Sequence, residues 1–181
     1  MCRKLGRDDT IANGPMIIPP KSMMDSIAVE TPGQRVNVLI KGEARCNGWQ
    51  QDCWYKADQR YAVSVPPDPR FPDADRFGIE LRCPDMNLHY PEGSLLLCVP
   101  LDAVEGGIEV DQRYLIECRR RRGRNQETEL TVKTLTTESG NRPKFVTESS
   151  EPGHQMSVPL FGDGGGRIRP IALVTGFVEP E

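Results

Sequence analysis

Lys133 lies in Val132-Lys133-Thr134-Leu135, a stretch that alternates as a strand does. Leu130, Val132 and Thr134 share one face, and Thr131, Lys133 and Leu135 share the other. A strand lysine is ordinarily solvated, but one buried beside a hydroxyl can lose its proton and act as a base. Asp85 lies in Cys83-Pro84-Asp85-Met86, where the proline ends the preceding strand pattern. A carboxylate is a nucleophile in some enzymes. Cysteines stand at 2, 46, 53, 83, 98 and 118, with His89 and His154. No two cysteines have Cys-x-x-Cys spacing and the histidines are isolated, so scattered reduced thiols are a better reading than a zinc site. No metal and no cofactor is expected. Arg119 to Arg124 contains five arginines around Gly123. Such a cluster can grip phosphate, although at a hairpin tip it reads first as a solvated turn. Gly162 to Gly166 lacks the Gly-Lys-Ser/Thr ending of a phosphate-binding loop and reads as a hairpin loop.

The elements that must position these residues are strands. Ile79 and Leu81 alternate with polar neighbours as in a half-buried strand, and Leu95 to Val99 is a short apolar run suited to a buried one. Pro91-Glu92-Gly93 is the turn between them. Residues 35–44 form an earlier strand by their β-branched content. Trp54, Tyr55, Tyr61, Val63 and Val65 are expected to pack beside it. Pro66 to Pro72 reads as a stiff surface connector. Residues 113–118 and 127–135 form a hairpin with the arginines at its tip, and 144–147 a short strand. Ile168 and Ile171 to Val178 form the last strand, with Gly176 as a bulge.

Composition agrees. Sixteen prolines and seventeen glycines in 181 residues suit a loop-rich, mostly β domain. A net charge of −3 gives the whole molecule no general attraction for nucleic acid or anionic membrane. No apolar run approaches membrane-spanning length, and the N-terminus lacks the apolar region of a secretory signal. The cytoplasm is the default. Residues 1–34 are punctuated by proline and glycine and read as a poorly ordered extension without a helix-turn-helix, leaving 35–181 as the domain.

The segment Phe77 to Pro100 resembles the core of the LexA and phage-repressor family of self-cleaving serine peptidases. That family has Gly-Asp-Ser-Met, six residues, then Gly-Asp or Gly-Ser before an apolar strand. Met86, Gly93-Ser94 and Leu95 to Val99 fit this frame without a gap. The resemblance puts Asp85 at the position of the nucleophilic serine and Cys83-Pro84 at its Gly-Asp. It puts Lys133, in Val132-Lys133-Thr134-Leu135, at the position of the general base. The family's cut Ala-Gly bond falls on Cys46-Asn47, with Gly42 and Glu43 matching upstream and a one-residue shift left open. The resemblance spans about residues 36–178.

It implies a LexA-like fold of twisted antiparallel sheets with little helix. Because a carboxylate cannot replace a serine acting on a peptide bond through a lysine base, it implies lost self-cleavage. The expected role is a non-catalytic dimerisation or regulatory module, as a homodimer or paired with a DNA-binding repressor of the same family, and touching DNA only indirectly. Two alternatives stand beside it. One is a residual peptidase using Ser94 with Lys133. The other is a nucleic-acid binder using Arg119–Arg124. Two further expectations follow: Asp85 and Lys133 approach each other in the old cleft, and the C-terminal strand, costly to leave as an open edge, pairs two copies.

Overall fold

The computed structural model describes residues 33–46, 48–138, 142–160 and 167–180. The chain divides between Gly33 and Gln34, and all described residues but Gly33 belong to the second unit. Residues 1–32 of the expected extension, and the loop at Gly162 to Gly166, lie outside the described residues. The chain is mostly β, as expected. Its strands are β1 (Val36–Ala44), β2 (Tyr61–Val65), β3 (Phe77–Leu81), β4 (Leu95–Pro100), β5 (Arg113–Arg122), β6 (Asn125–Glu138), β7 (Arg142–Val146), β8 (Ser157–Pro159) and β9 (Arg167–Val178). They form one mixed sheet in the order β2-β1-β3-β4-β9-β5-β6-β7-β8. Only β1 and β3 pair in parallel. No helix among the described residues is long and apolar enough to cross a membrane.

The arginine hairpin is longer than its sequence suggests. β5 and β6 stay paired out to Arg122 and Asn125. The two-residue loop between them starts at Gly123, with φ +64°, a backbone region that glycine enters without strain. The last strand does not lie at an open edge. β9 is central, paired with β4 on one side and β5 on the other, so edge exposure gives no reason for two copies to pair through it. The register slips where Leu97 faces Gly176 and Cys98 faces Val174, which places a bulge beside Gly176.

β3 also departs from expectation. All five of its residues are buried, Glu80 included. Alternation predicts one wet face, but β1 and β4 flank the strand and the Glu80 carboxylate has partners. Tyr61 Oη donates to it at 2.7 Å, and Arg82 pairs with it. A buried carboxylate is tolerated when so satisfied.

Two apolar clusters cover opposite faces of the β9-β5-β6 region. Leu115, Leu130, Val132 and Ala172 pack with Ile79, Leu81, Cys83 and Met86. Tyr114, Ile116, Leu135 and Leu173 pack with Phe145. Residues after β1 then return to β6, beyond the part that β7 covers. Arg45 N donates to Leu130 O at 3.0 Å, and Gln50 and Thr128 exchange both backbone hydrogen bonds at 3.0 and 2.7 Å. Gly42 permits this return. A Cβ there would lie 2.6 Å from the Cys53 carbonyl oxygen, closer than such atoms come.

Candidate functional site

Three separate segments converge at one point on the sheet. The first is the stretch after β1, which carries Cys46 and is held on β6 by the Arg45 and Gln50 hydrogen bonds. The second is a tight 3-10 turn, Pro84–Met86. Its first-turn proline supplies a fixed φ and needs no hydrogen bond to its nitrogen. This turn buries Cys83, Asp85 and Met86, with Met86 anchored among Leu130 and Val132. The third is the loop from Thr147 to Met156. Thr147 Oγ1 donates to His154 O at 2.6 Å, and Met156 N donates to Thr147 Oγ1 at 2.6 Å. The second and third segments are also stitched together. Ser150 N donates to Asn87 Oδ1 at 2.8 Å, and Leu88 N to Glu148 O at 3.2 Å.

At the meeting point His154 Nδ1 lies 2.9 Å from Asp85 Oδ1. Asp85 is 2% exposed, so this contact is made almost out of water. Donor atoms of Cys46, Asp85 and His154 all lie within 4.8 Å of one another. The Cys46 thiol also donates to Cys83. That hydrogen bond, with burial and Asp85 adding to it, drives the Cys46 thiol far above its usual range. The same bond holds Cys83 below its usual value, against burial. Cys46 therefore keeps its proton and is a poor nucleophile as it stands.

The structure thus brings Asp85 and Cys46 together, and it does not bring Lys133 to them. Lys133 is buried and pairs across the ladder with Tyr114, so it shares the face of Tyr114 and Leu135. Asp85 belongs with the Met86 side, where Leu130 and Val132 point. Cys118, on the Tyr114 side, confirms the placement. Burial and Glu129 push its thiol to about 11, while nearby Lys133 pulls it down. The expected Asp85–Lys133 approach is therefore corrected: Asp85 takes His154 as its partner. The physical cause is alternation, which sends Lys133 to the face opposite Val132. No hydrogen bond or ion pair joins Lys133 to a described residue. Lys133→Met is expected to change stability by less than about 1 kcal/mol, because a similar volume replaces a buried amine that has no ionic partner among the described residues. Urea denaturation checks this. A loss above about 3 kcal/mol would reinstate a buried ion pair for Lys133.

The remaining sequence candidates are placed as follows. Asn47 lies outside the described residues. Ser94 is wholly buried and its hydroxyl has no partner among the described residues, which leaves no route for a substrate. Of the hairpin arginines, Arg119 pairs with Glu117 at 2.8 Å and Arg120 with Glu127 at 2.8 Å. Arg120 also stacks 4.1 Å from the Trp49 ring centre. These partners neutralise part of the cluster.

No family model and no curated protein matches this sequence.

Sequence reasoning missed three things here. The thiols are not all scattered, since Cys46 meets Cys83, and His154 is not isolated, since it meets Asp85. Spacing rules find ligands or partners within one loop, whereas these come from three. It also missed Glu148, which gathers His89 at 3.0 Å and Arg113 at 3.5 Å and accepts from Thr134. Burial raises the Glu148 pKa, but Thr134, His89 and Arg113 together outweigh it and hold the carboxyl below its ordinary value of 4.5. A carboxyl with a depressed folded-state pKa adds stability above its unfolded pKa and loses it as pH falls through the folded value. Glu148→Gln should therefore flatten the fall in urea midpoint below pH 4.5. An unchanged acid limb would show that Glu148 does not carry it.

Proposed function

We propose that this chain is a catalytically inactive relative of the LexA and phage-repressor self-cleaving peptidases, acting as a dimerisation or regulatory module. One observation carries the reading. Cys46, at the position of the cut bond, and Asp85, at the position of the nucleophile, come within 4.8 Å although they belong to distant segments. A self-cleaving chain has to bring its own bond to its own nucleophile. This chain keeps such docking while carrying a carboxylate where the serine would be. Lys133 holds the base's place in the strand but faces Tyr114, which also favours an inactive site. The partner on this reading is a second copy or a repressor of the same family carrying the DNA-binding domain. Exposed Leu88, Phe177 and Val178 offer apolar contact for it.

The protein is expected to stay intact at alkaline pH and, separately, with activated recombinase filaments, conditions under which the resembled family cleaves itself. Mass spectrometry over a time course reads this. A fragment beginning near Asn47 or Gly48 would overturn the inactive reading.

A further inference from the structure

We propose that Cys46, Asp85 and His154 form a binding site for a divalent transition metal ion of the zinc class, with a solvent molecule as the fourth ligand. The donor set is one imidazole, one carboxylate and one thiol. Borderline-soft Zn²⁺ takes this mixture in four-coordinate sites, whereas Ca²⁺ and Mg²⁺ require oxygen ligands. The three donor atoms already lie within 4.8 Å of one another. Bonds of about 2.0–2.3 Å around one tetrahedral ion put ligand atoms roughly 3.3–3.8 Å apart. His154 Nδ1 and Asp85 Oδ1, now 2.9 Å apart, would open slightly to admit the ion, and the Cys46 sulfur would adjust by side-chain rotation.

The backbone at each ligand is fixed independently of any ion. Arg45 N bonds Leu130 O at 3.0 Å, Asn87 N bonds Pro84 O at 3.1 Å, and His154 N bonds Glu151 O at 2.9 Å. A second shell is present as well. His154 Nε2 lies 3.8 Å from Glu151 Oε2. A histidine that binds metal through one ring nitrogen usually donates its other N–H to a carboxylate or carbonyl, which fixes the tautomer. Here the metal would take Nδ1, and Nε2–H would donate to Glu151. On binding, Cys46 releases its proton to solvent. The ring nitrogen that takes the ion carries no proton in the bound state, and no group is oxidised or reduced. The ion would join three loops from separate parts of the sheet, and so stabilise the docked position of the Cys46 segment. This goes beyond the regulatory reading and does not depend on it.

The test uses the whole chain, reduced and stripped with a chelator, then titrated with Co²⁺ as a spectroscopic stand-in and with Zn²⁺ in competition. One equivalent of Co²⁺ should give the visible bands of a tetrahedral site and a near-ultraviolet thiolate-to-metal band. Cys46→Ser and His154→Gln should remove them. Cys118→Ser, on the other face, should leave the spectrum unchanged. Glu151→Gln, at an exposed second-shell position, should weaken affinity about tenfold while the metal-free protein melts normally. Melting of each metal-free variant separates lost ligation from lost folding. Absence of tetrahedral bands in the folded wild-type chain would overturn the proposal. Bands that survive in Cys46→Ser, or unaltered affinity in Glu151→Gln, would do so too.

Discussion

Replacing His154 with alanine is expected to lower folding stability by about 3 kcal/mol, at the lower end of what removing one partner of a buried pair costs. The asymmetry of the pair sets this figure. Asp85 is 2% exposed, whereas the His154 side chain keeps 30% of its surface in solvent. Losing the imidazole leaves the buried Asp85 carboxyl without its ring-nitrogen partner. The cost comes from the stranded group rather than from the attraction lost, so a second change should recover it. Asp85→Leu together with His154→Ala should restore at least half of the loss, because no polar group then remains without a partner. Urea midpoints at constant denaturant slope measure all three variants. Equal losses in the single and double variants would mean that His154 acts by packing alone.

Much of the sheet was legible in the sequence. β-branched and apolar runs bounded by proline and glycine gave β1, β3, β4 and β9 nearly to the residue, and the break at Pro84 marked the turn that carries Asp85. What could not be read was facing and convergence. β6 is buried on both faces from Leu130 to Leu135, so hydrophobic alternation separates its faces without saying which meets the Pro84–Met86 turn. The Lys133 expectation failed at that step. The position of β9 was hidden for a related reason. A final apolar strand looks the same at an edge as between β4 and β5, and only long-range pairing distinguishes them. His154 lay beyond sequence reasoning because nothing near it resembles a site. Its loop reaches Asp85 through Thr147, Ser150 and Asn87, none of which carries a recognisable signal.

The largest expected effect lies one layer behind that loop. Phe145→Ala should cost about 4 kcal/mol, within the range for truncating a buried aromatic side chain. Phe145 is wholly buried and packs edge-on against Tyr114, with ring centres 6.2 Å apart and planes at 74°. Such pairs add to the area term. Leu135, Ile116 and Leu173 complete its surroundings. Polar hydrogen bonds alone would then hold this end of the sheet, because β7 pairs with β6 over five positions and β8 with β7 over only three. The consequence should be local as well as global. β7 leads directly into the loop from Thr147 to His154, so loosening it should detach His154 from Asp85 before the β1-β3-β4 side opens. Native-state hydrogen exchange in Phe145→Ala should show faster exchange at Phe145, Thr147 and Met156 than at Ile79 and Leu97, relative to wild type. The Thr147 and Met156 amides are the informative ones, since both close the loop that holds His154. Uniform acceleration across the sheet would mean that the loop and the β1-β3-β4 side open as one unit. A stability loss below about 2 kcal/mol would mean that the cavity collapses and that β7 is held by its ladder rather than by its ring.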